Sequence, residues 1–200
     1  MSVTFRAALR PALFLDRDGV INVDHAYVHR SADFRFIDGI FDLCRAAAKL
    51  GYRMFVVTNQ AGIGRGYYTE QQFLTLTEWM RNEFSKEGVA IDKVYFCPSH
   101  PVHGVGQYKV ESSHRKPGPG MILQAAEEFG IDLAQSVLIG DKESDIEAGL
   151  AAGLRATVLY APVDAAPDAA DASRTKASFV APTLDAVRAF LDQLDDQVNR

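Results

Sequence analysis

The sequence has few cysteines, no long apolar run and no excess of positive charge. Its two cysteines, Cys44 and Cys97, lie far apart and form no CxxC motif, which argues against a disulfide framework and favours a reducing, cytoplasmic setting. No stretch approaches the roughly 20 apolar residues that a membrane helix needs, and Asp16 and Asp18 interrupt the N-terminal apolar run before it could form a signal peptide. A formal net charge of −5 gives no general attraction to nucleic acids or anionic membranes.

The length and composition are those of one folded domain. Two hundred residues with 48% hydrophobic content can bury one core, and a second full domain would be cramped. Residues 161–177 are rich in Ala, Asp and Pro, which indicates a flexible surface loop, with a domain boundary as the alternative. We therefore expect a single domain over residues 1–200, with that loop inside it, acting as a monomer.

Short apolar runs alternate with amphipathic segments along the chain. Strands are predicted at residues 12–15, 53–57, 91–96, 136–139, 156–160 and 178–180. Helices are predicted at 41–50, 69–87, 121–129, 146–152 and 184–194, the second of them with Thr69 as N-cap and Gln72 three residues on. This alternation predicts an α/β fold with a mostly parallel sheet and helices on both faces, and in such folds the chemistry lies at the carboxyl ends of the strands.

Polar residues follow three of these strands, in the segments Asp16-Arg17-Asp18-Gly19, Thr58-Asn59-Gln60 and Gly140-Asp141-Lys142-Glu143-Ser144-Asp145. In a parallel sheet the three ends can converge, which would bring Asp16, Asp18 and Asp141 into one crevice. Carboxylates that close repel one another unless a cation lies among them, and oxygen ligands of this kind suit Mg²⁺. Each Asp alone could be a helix N-cap, but three matched strand ends favour a metal site.

Two further polar features complete the pattern. Thr58 and Asn59 offer donors suited to phosphoryl oxygens, and Lys116 supplies a fixed positive charge. Lys116 taken alone could be a solvated surface lysine, and only its place in Arg115-Lys116-Pro117 favours a role in the site. An acidic chain that handles phosphate needs such a local concentration of positive charge.

Four segments resemble, in order, the four motifs of the haloacid dehalogenase-like (HAD) phosphatases: residues 14–20 (FLDRDGV), Val57-Thr58-Asn59, Lys116, and Gly140-Asp141 with Asp145. The resemblance covers nearly the whole chain. It implies a Rossmannoid three-layer sandwich with a mostly parallel central sheet and no large cap domain. It also implies a phosphoric monoester hydrolase that depends on Mg²⁺.

Residues 16–28, 58–66, 97–101 and 115–121 further resemble the subfamily of heptose bisphosphate and histidinol-phosphate phosphatases. This implies a small phosphorylated sugar as substrate, with D-glycero-D-manno-heptose 1,7-bisphosphate cut at its 7-phosphate as the first candidate. Such enzymes serve lipopolysaccharide or other glycan precursors. Histidinol phosphate or a general sugar phosphate are the alternatives within enzymes, and a non-catalytic phosphate-binding scaffold is the alternative of another class.

The resemblance assigns catalytic roles residue by residue. Asp16 would be the nucleophile that takes up the phosphoryl group. Asp18 would protonate the leaving alkoxide and then activate the hydrolytic water. Thr58 and Lys116 would bind the transferring phosphoryl oxygens. Because all these residues and Asp141 are present, the scaffold alternative is disfavoured.

The same resemblance assigns metal and substrate positions. Mg²⁺ would be held by Asp16, the main-chain carbonyl of Asp18, and Asp141, while Asp145 would orient Lys116 or the metal-bound waters. The substrate-binding positions would be Asp24, His25, Ala26, Tyr27, Asn59, Gln60, Ala61, Arg115 and Lys142.

The chain departs from the subfamily in its zinc-binding loop. The four ligand positions of that loop correspond here to Cys97, Ser99, Ser112 and His114. Serine is a poor zinc ligand, so we expect no bound zinc, with Cys97 and His114 as the remainder of a degenerate site. A rearranged site in which His100 and His103 join these two residues is the alternative. The divergence of this loop leaves the identity of the sugar open.

Overall fold

The computed structural model describes residues 9–162 and 174–198, so most of the predicted loop at 161–177 lies outside the described residues. The strands are β1 (Ala12–Leu15), β2 (Arg53–Asn59), β3 (Ile91–Cys97), β4 (Val137–Gly140), β5 (Ala156–Tyr160) and β6 (Phe179–Ala181). They form one six-stranded sheet in the order β3-β2-β1-β4-β5-β6, and every pairing in it is parallel. The predicted α/β fold is confirmed.

Helices cover both faces of this sheet. They are α1 (Ile40–Lys49), α2 (Ala61–Gly64), α3 (Glu70–Lys86), α4 (Gly120–Phe129), α5 (Glu143–Ala151) and α6 (Leu184–Val198). Successive side chains of a strand point to opposite faces. In β1, Leu13 and Leu15 join the core beneath α1, α3 and α6, whereas Ala12 and Phe14 join the core beneath α4 and α5. The result is the expected three-layer sandwich.

Strand order reverses at β1. The chain runs from β1 through β2 to β3 at one edge of the sheet, and β4, β5 and β6 continue toward the other edge. Ligands of open α/β sheets bind outside the carboxyl ends of the strands at such a switch point. The ends of β1, β2 and β4 therefore define the place where a site should form.

The described segments between the strands contain no large cap domain, and between β2 and β3 the chain forms only α2 and α3. In the same described part, no helix is both long and apolar enough to cross a bilayer.

Element boundaries match the predictions to within one residue except in α5, β2 and α6; the helix α6 was predicted to end at Leu194 and continues to Val198. The helix predicted at 146–152 begins at Glu143, because Asp145 accepts a hydrogen bond from the Lys142 backbone N–H (3.0 Å) and caps a first turn that carries no apolar signal. The strand predicted to end at Val57 continues through Asn59. The short helix α2 was not predicted, since four residues are too few to show a helical period.

The start of α3 can be tested by mutation. The Thr69 hydroxyl accepts from the Gln72 backbone N–H (3.1 Å), and the Gln72 side chain accepts from the Thr69 N–H (2.8 Å). Thr69→Ala should cost about 1 kcal/mol of unfolding free energy and lower Tm by about 2–4 °C. Thr75→Ala is the control, because Thr75 lies on the same helix, is exposed and only donates to the Gln71 carbonyl (2.9 Å). Equal losses in the two variants in thermal unfolding would contradict the capping role.

Candidate active site

Asp16 stands immediately after β1, where its backbone N–H donates to the Ile139 carbonyl of β4 (2.9 Å). It is only 6% exposed. Its Oδ1 accepts from the Arg17 backbone N–H (2.7 Å) and lies 2.9 Å from Lys116 Nζ. The predicted nucleophile is thus a buried carboxylate with one oxygen fixed by two donors.

Lys116 brings a buried positive charge to this carboxylate. Its ammonium contacts Asp16 and Asp145 and donates to the Val57 carbonyl of β2 (2.9 Å). Burial disfavours the charged form, but the combined attraction of Asp145 and Asp16 raises the pKa of Lys116 above its ordinary value. The lysine therefore stays charged inside the protein, and Asp145 lies where its predicted role of orienting Lys116 requires.

Asn59 fixes the backbone that carries Lys116. The Asn59 Oδ1 accepts from the Lys116 N–H and its Nδ2 donates to the Lys116 carbonyl, both at 3.0 Å. The Asn59 amide thus holds this loop against the end of β2, and its predicted contact with substrate stays a prediction. The role is one that the local sequence could not reveal, because the two residues are 57 positions apart.

A cluster of carboxylates lies beside the lysine. Within residues 9–162 and 174–198, Asp16, Asp141 and Asp145 form the only group of three or more His, Cys, Asp or Glu whose ligand atoms all lie within 4.8 Å of one another. Burial, followed by the negative charges of its neighbours, raises the pKa of Asp141 to about 8. The pKa of Asp16 rises to about 6, mainly through burial.

The cluster fits a hard divalent cation. Asp141 Oδ1 is buried and accepts no hydrogen bond, so an oxygen is left without the partner that burial normally demands. Gly19 makes room for this carboxylate, because its φ of +91° favours glycine and a Cβ there would overlap Asp141 Oδ2. The ammonium groups of Lys116 and Lys142 do not neutralise three carboxylates. Oxygen-only ligands are those that Mg²⁺ prefers.

Asp18 lies outside this cluster and is held by a set of donors. Arg17 Nη2 donates to both of its carboxylate oxygens (2.9 and 2.8 Å), while Asn22 Nδ2 and Gln60 Nε2 each donate at 3.0 Å. Arg17 is 1% exposed and its guanidinium lies 5.6 Å from the centre of the Phe73 ring. Sequence reasoning missed Arg17, although an arginine between two aspartates at a buried strand end must pair with a carboxylate.

Thr58 and Gln60 continue this arrangement at the end of β2. Thr58 is fully buried, and its Oγ1 accepts from Gln60 Nε2 (2.8 Å). Gln60 is 2% exposed and its Oε1 accepts from the Tyr68 hydroxyl (2.5 Å). The Gln60 side chain, predicted to bind substrate, is fully used by protein groups, and Ala61 next to it begins α2.

The exposed loop at 24–27 borders the carboxylate cluster. Lys142 Nζ lies 3.3 Å from Asp24 Oδ2 and 3.6 Å from Asp141 Oδ2. Burial opposes the charge of Lys142, but attraction to Asp141, Asp24 and Asp16 raises its pKa. Ala26 and Tyr27 have φ of +61° and +57°, a conformation that costs free energy for residues other than glycine. His25 is exposed on the same loop.

Arg115 and Arg65 are neighbours. Arg115 Nη1 donates to the Ser99 carbonyl (3.3 Å), and burial, followed by its neighbour Arg65, lowers the pKa of Arg115. Arg65 Nη1 donates to the Tyr27 hydroxyl (2.9 Å). The predicted substrate positions stay predictions; Asp24, His25, Ala26 and Tyr27 are exposed, whereas Gln60 is buried.

The remaining zinc-loop side chains each have another partner. Cys97 is buried with its Sγ 4.0 Å from the Ser99 carbonyl oxygen, and His114 Nε2 lies 3.1 Å from Gln124 Oε1. The rings of His100 and His103 are 4.7 Å apart. In the part of the chain that the structure describes, Cys97, His100, His103 and His114 form no group of three converging ligand atoms. The rearranged four-ligand zinc site is not assembled here.

These features together define a HAD-like phosphatase: the buried Asp16 carboxylate beside Lys116, a second carboxylate at Asp18, and an acidic cluster at the switch point of the sheet. The comparisons agree: the HAD-hydrolase-like family matches residues 113–187. The chain is 59% identical over 162 residues to the D-glycero-alpha-D-manno-heptose-1,7-bisphosphate 7-phosphatase of Burkholderia mallei, covering 81% of this chain and 86% of the relative.

Two further comparisons extend this similarity. The D-glycero-beta-D-manno-heptose-1,7-bisphosphate 7-phosphatase of Vibrio cholerae is 51% identical over 150 residues, which cover 75% of this chain and 81% of the relative. The D,D-heptose 1,7-bisphosphate phosphatase of B. bronchiseptica, solved with magnesium and phosphate, superposes with a TM-score of 0.74 at 26% identity, covering 92% of this chain and 98% of that one. The chain belongs to the family of heptose-1,7-bisphosphate 7-phosphatases.

The raised pKa values of Asp16 and Asp141 predict a pH-dependent effect of magnesium on stability. Both carboxyls hold protons more tightly in the folded protein than in the unfolded chain, so their stabilising contribution is present at low pH and is lost as pH rises through about 6 and about 8. Mg²⁺ requires the deprotonated carboxylates. MgCl₂ should therefore raise Tm more at about pH 9 than at about pH 5.

Thermal unfolding with and without MgCl₂ at the two pH values measures this difference. Asp141→Asn is the control, since it removes one of the negative charges and should abolish most of the magnesium-dependent increase in Tm. An increase of equal size at both pH values in the unmutated chain would contradict the assignment.

Gly19 offers a second test of the cluster. Gly19→Ala should lower Mg²⁺ affinity by about tenfold or more, because the new methyl group displaces Asp141. Gly51→Ala is the matched control: Gly51 has a similar φ of +88°, but nothing lies within 4 Å of the position its Cβ would take. Both variants bear the same backbone strain, so titration of MgCl₂ followed by Tm isolates the displacement. Equal magnesium affinity in the two variants would count against this placement of Asp141.

Proposed function

We propose that the chain hydrolyses D-glycero-D-manno-heptose 1,7-bisphosphate at its 7-phosphate, with Mg²⁺ as cofactor and a phosphorylated Asp16 as intermediate. The observation that carries the chemistry is the buried Asp16 carboxylate, which has one oxygen 2.9 Å from Lys116 Nζ and lies within the acidic cluster. The named activity of relatives that are 59% and 51% identical supports the choice of sugar.

The proposed reaction has two displacements at phosphorus. In the first, Asp16 attacks the 7-phosphate, the bond from phosphorus to the sugar oxygen breaks, and Asp18 donates a proton to the leaving alkoxide. In the second, a water molecule whose proton passes to Asp18 attacks phosphorus and releases phosphate from Asp16. Thr58 and Lys116 stabilise the charge on the phosphoryl oxygens in both steps.

The residues present fit Mg²⁺. Asp16, Asp141 and the main-chain carbonyl of Asp18 would hold it, and the unpartnered Oδ1 of Asp141 is available for this purpose. When bound, the ion supplies positive charge that screens the carboxylates from the incoming phosphate. Asp145 pairs with Lys116 and in this proposal keeps the lysine beside Asp16.

Cationic side chains near the cluster support a sugar that carries a second phosphate. Lys142 lies beside Asp24 and Asp141, and Arg115, which directly precedes Lys116, has Arg65 as a neighbour. Arginine favours phosphate because its donors form a rigid fork. Histidinol phosphate has no second phosphate, which makes it the runner-up substrate.

The proposal also includes the setting of the enzyme. Both cysteines are free and buried, which supports a reducing cytoplasmic location. We further propose a monomeric single domain that acts without nucleic acid, a membrane or zinc.

A panel of substrates tests the proposal. With MgCl₂ supplied, released phosphate should be highest for the heptose bisphosphates, lower for histidinol phosphate and lowest for simple sugar monophosphates. Both anomers belong in the panel because the relatives bear the names of an alpha and a beta form. Turnover of histidinol phosphate with both heptose bisphosphates inert would overturn the sugar assignment.

The nucleophile has its own test. Asp16→Asn should reduce phosphate release by at least about a thousandfold, because the amide cannot form the covalent intermediate. Asp42→Asn is the control, since Asp42 is exposed on α1 and pairs with Arg45 at 2.6 Å, away from the site. Activity retained in Asp16→Asn would overturn the role of Asp16 as nucleophile. No phosphate release by the unmutated chain would favour the scaffold alternative.

A further inference from the structure

Tyr68 is a buried residue next to the site to which the mechanism gives no role. It lies between α2 and α3, is 5% exposed, and its hydroxyl donates to Gln60 Oε1 at 2.5 Å. Its ring stacks on His29 with centroids 5.0 Å apart and planes 3° from parallel. Any Cβ on Gly62 would overlap this ring. The ring is therefore fixed on two sides and the hydroxyl has a defined position.

The Gln60 amide joins two groups of the proposed mechanism. Its Nε2 donates to Asp18 Oδ2 (3.0 Å) and to Thr58 Oγ1 (2.8 Å). The Gln60 backbone N–H donates to the Cys97 carbonyl at 2.8 Å, so the residue is held at both main chain and side chain. The buried Gln60 Nε2 therefore sets the spacing between Asp18, the proposed acid/base group, and Thr58, a proposed phosphoryl-binding group.

The orientation of that amide depends on what faces its oxygen. If the amide turned over, Oε1 would face the Asp18 carboxylate, and two acceptors would meet without a proton between them. The Tyr68 hydroxyl supplies the donor that Oε1 needs in the observed orientation. Burial raises the pKa of Tyr68 to about 12, so the hydroxyl keeps its proton and remains a donor.

The observed orientation of the Gln60 amide also leaves the Thr58 hydroxyl able to donate to a phosphoryl oxygen. A threonine hydroxyl has one proton to donate and can accept in addition. Because Thr58 Oγ1 accepts from Gln60, its own proton is free to point toward an anion at the end of β2. With the amide reversed, the threonine would donate to Gln60 instead and lose its donor for phosphate.

We propose that Tyr68 is a positioning residue that acts through Gln60 to hold Asp18 and Thr58 in the arrangement needed for phosphoryl transfer. The inference rests on the proposed function, since it concerns the roles given there to Asp18 and Thr58. Because neither Tyr68 nor the Gln60 side chain is placed at the sugar, loss of the hydroxyl affects the chemical step and leaves substrate binding unchanged.

Tyr68→Phe is the direct test, because it removes the hydroxyl and keeps the ring against His29. It should lower kcat by about tenfold, change KM by less than about twofold, and leave Tm close to that of the unmutated chain. Tyr108→Phe is the matched control: Tyr108 also donates its hydroxyl to a side chain, Glu70 Oε1 at 2.9 Å, but has no hydrogen bond to Gln60. The control should retain its kcat.

A double-mutant cycle separates positioning from general loss of structure. If Tyr68 acts through Gln60, the pair Tyr68→Phe with Gln60→Ala should have the same kcat as Gln60→Ala alone. If Gln60→Ala does not fold, Gln60→Met replaces it, because it keeps the length of the side chain without its polar atoms. The inference would be overturned if the fold-losses in kcat of the two single variants multiplied in the double variant. An unchanged kcat in Tyr68→Phe, or a rise in its KM alone, would also overturn it.

The cycle is run with heptose bisphosphate and, in parallel, with p-nitrophenyl phosphate. Hydrolysis of p-nitrophenyl phosphate alone by the unmutated chain would refute the proposed sugar, while the ratios between variants would still decide the role of Tyr68. Failure of the unmutated chain to hydrolyse either compound with MgCl₂ present would overturn both proposals. Hydrolysis of both, with equal kcat in all variants, would overturn only the inference about Tyr68.

Discussion

The arrangement of the site depends on one buried ion pair network, in which the Lys116 ammonium lies between Asp16 and Asp145. Taking charges out of water is costly unless they are paired and hydrogen-bonded. The lysine meets this requirement with two carboxylates and the Val57 carbonyl. Asp141 is not part of this pairing, and its positive neighbour is the exposed Lys142 ammonium 3.6 Å away. The three carboxylates of the cluster therefore exceed the two ammonium charges, which favours a cation among them.

The sheet and most helices could be predicted because their signals are local. β1 is a continuous apolar run and β5 is interrupted only by Thr157, and both were predicted with the boundaries that the structure has. Thr69 and Gln72, three residues apart, predict the start of the long helix α3, and in the structure these two residues form a capping box. Where polar residues form the first turn, as in α5, the apolar period begins too late and the predicted start was wrong by three residues.

The sequence allowed a prediction of which residues lie together in the site. It was less informative about the hydrogen-bond partners of each side chain. Strand ends in a parallel sheet converge by topology, which is why Asp16 and Asp141 could be expected together. The partners of Asn59 and Gln60 could not be inferred, because they depend on contacts between segments far apart in sequence. Both side chains have protein partners in the structure, and the contact with the sugar that the resemblance implied stays a prediction.

The clamp between Asn59 and Lys116 has a consequence for how such an enzyme can diversify. Since β2 holds the lysine through both backbone and ammonium contacts, no side chain of residues 98–114 is among the groups that hold the ammonium. Side chains of this intervening segment can therefore change while those contacts to Lys116 are kept. Selectivity for the sugar and the ability to cleave phosphate can thus change independently over evolutionary time.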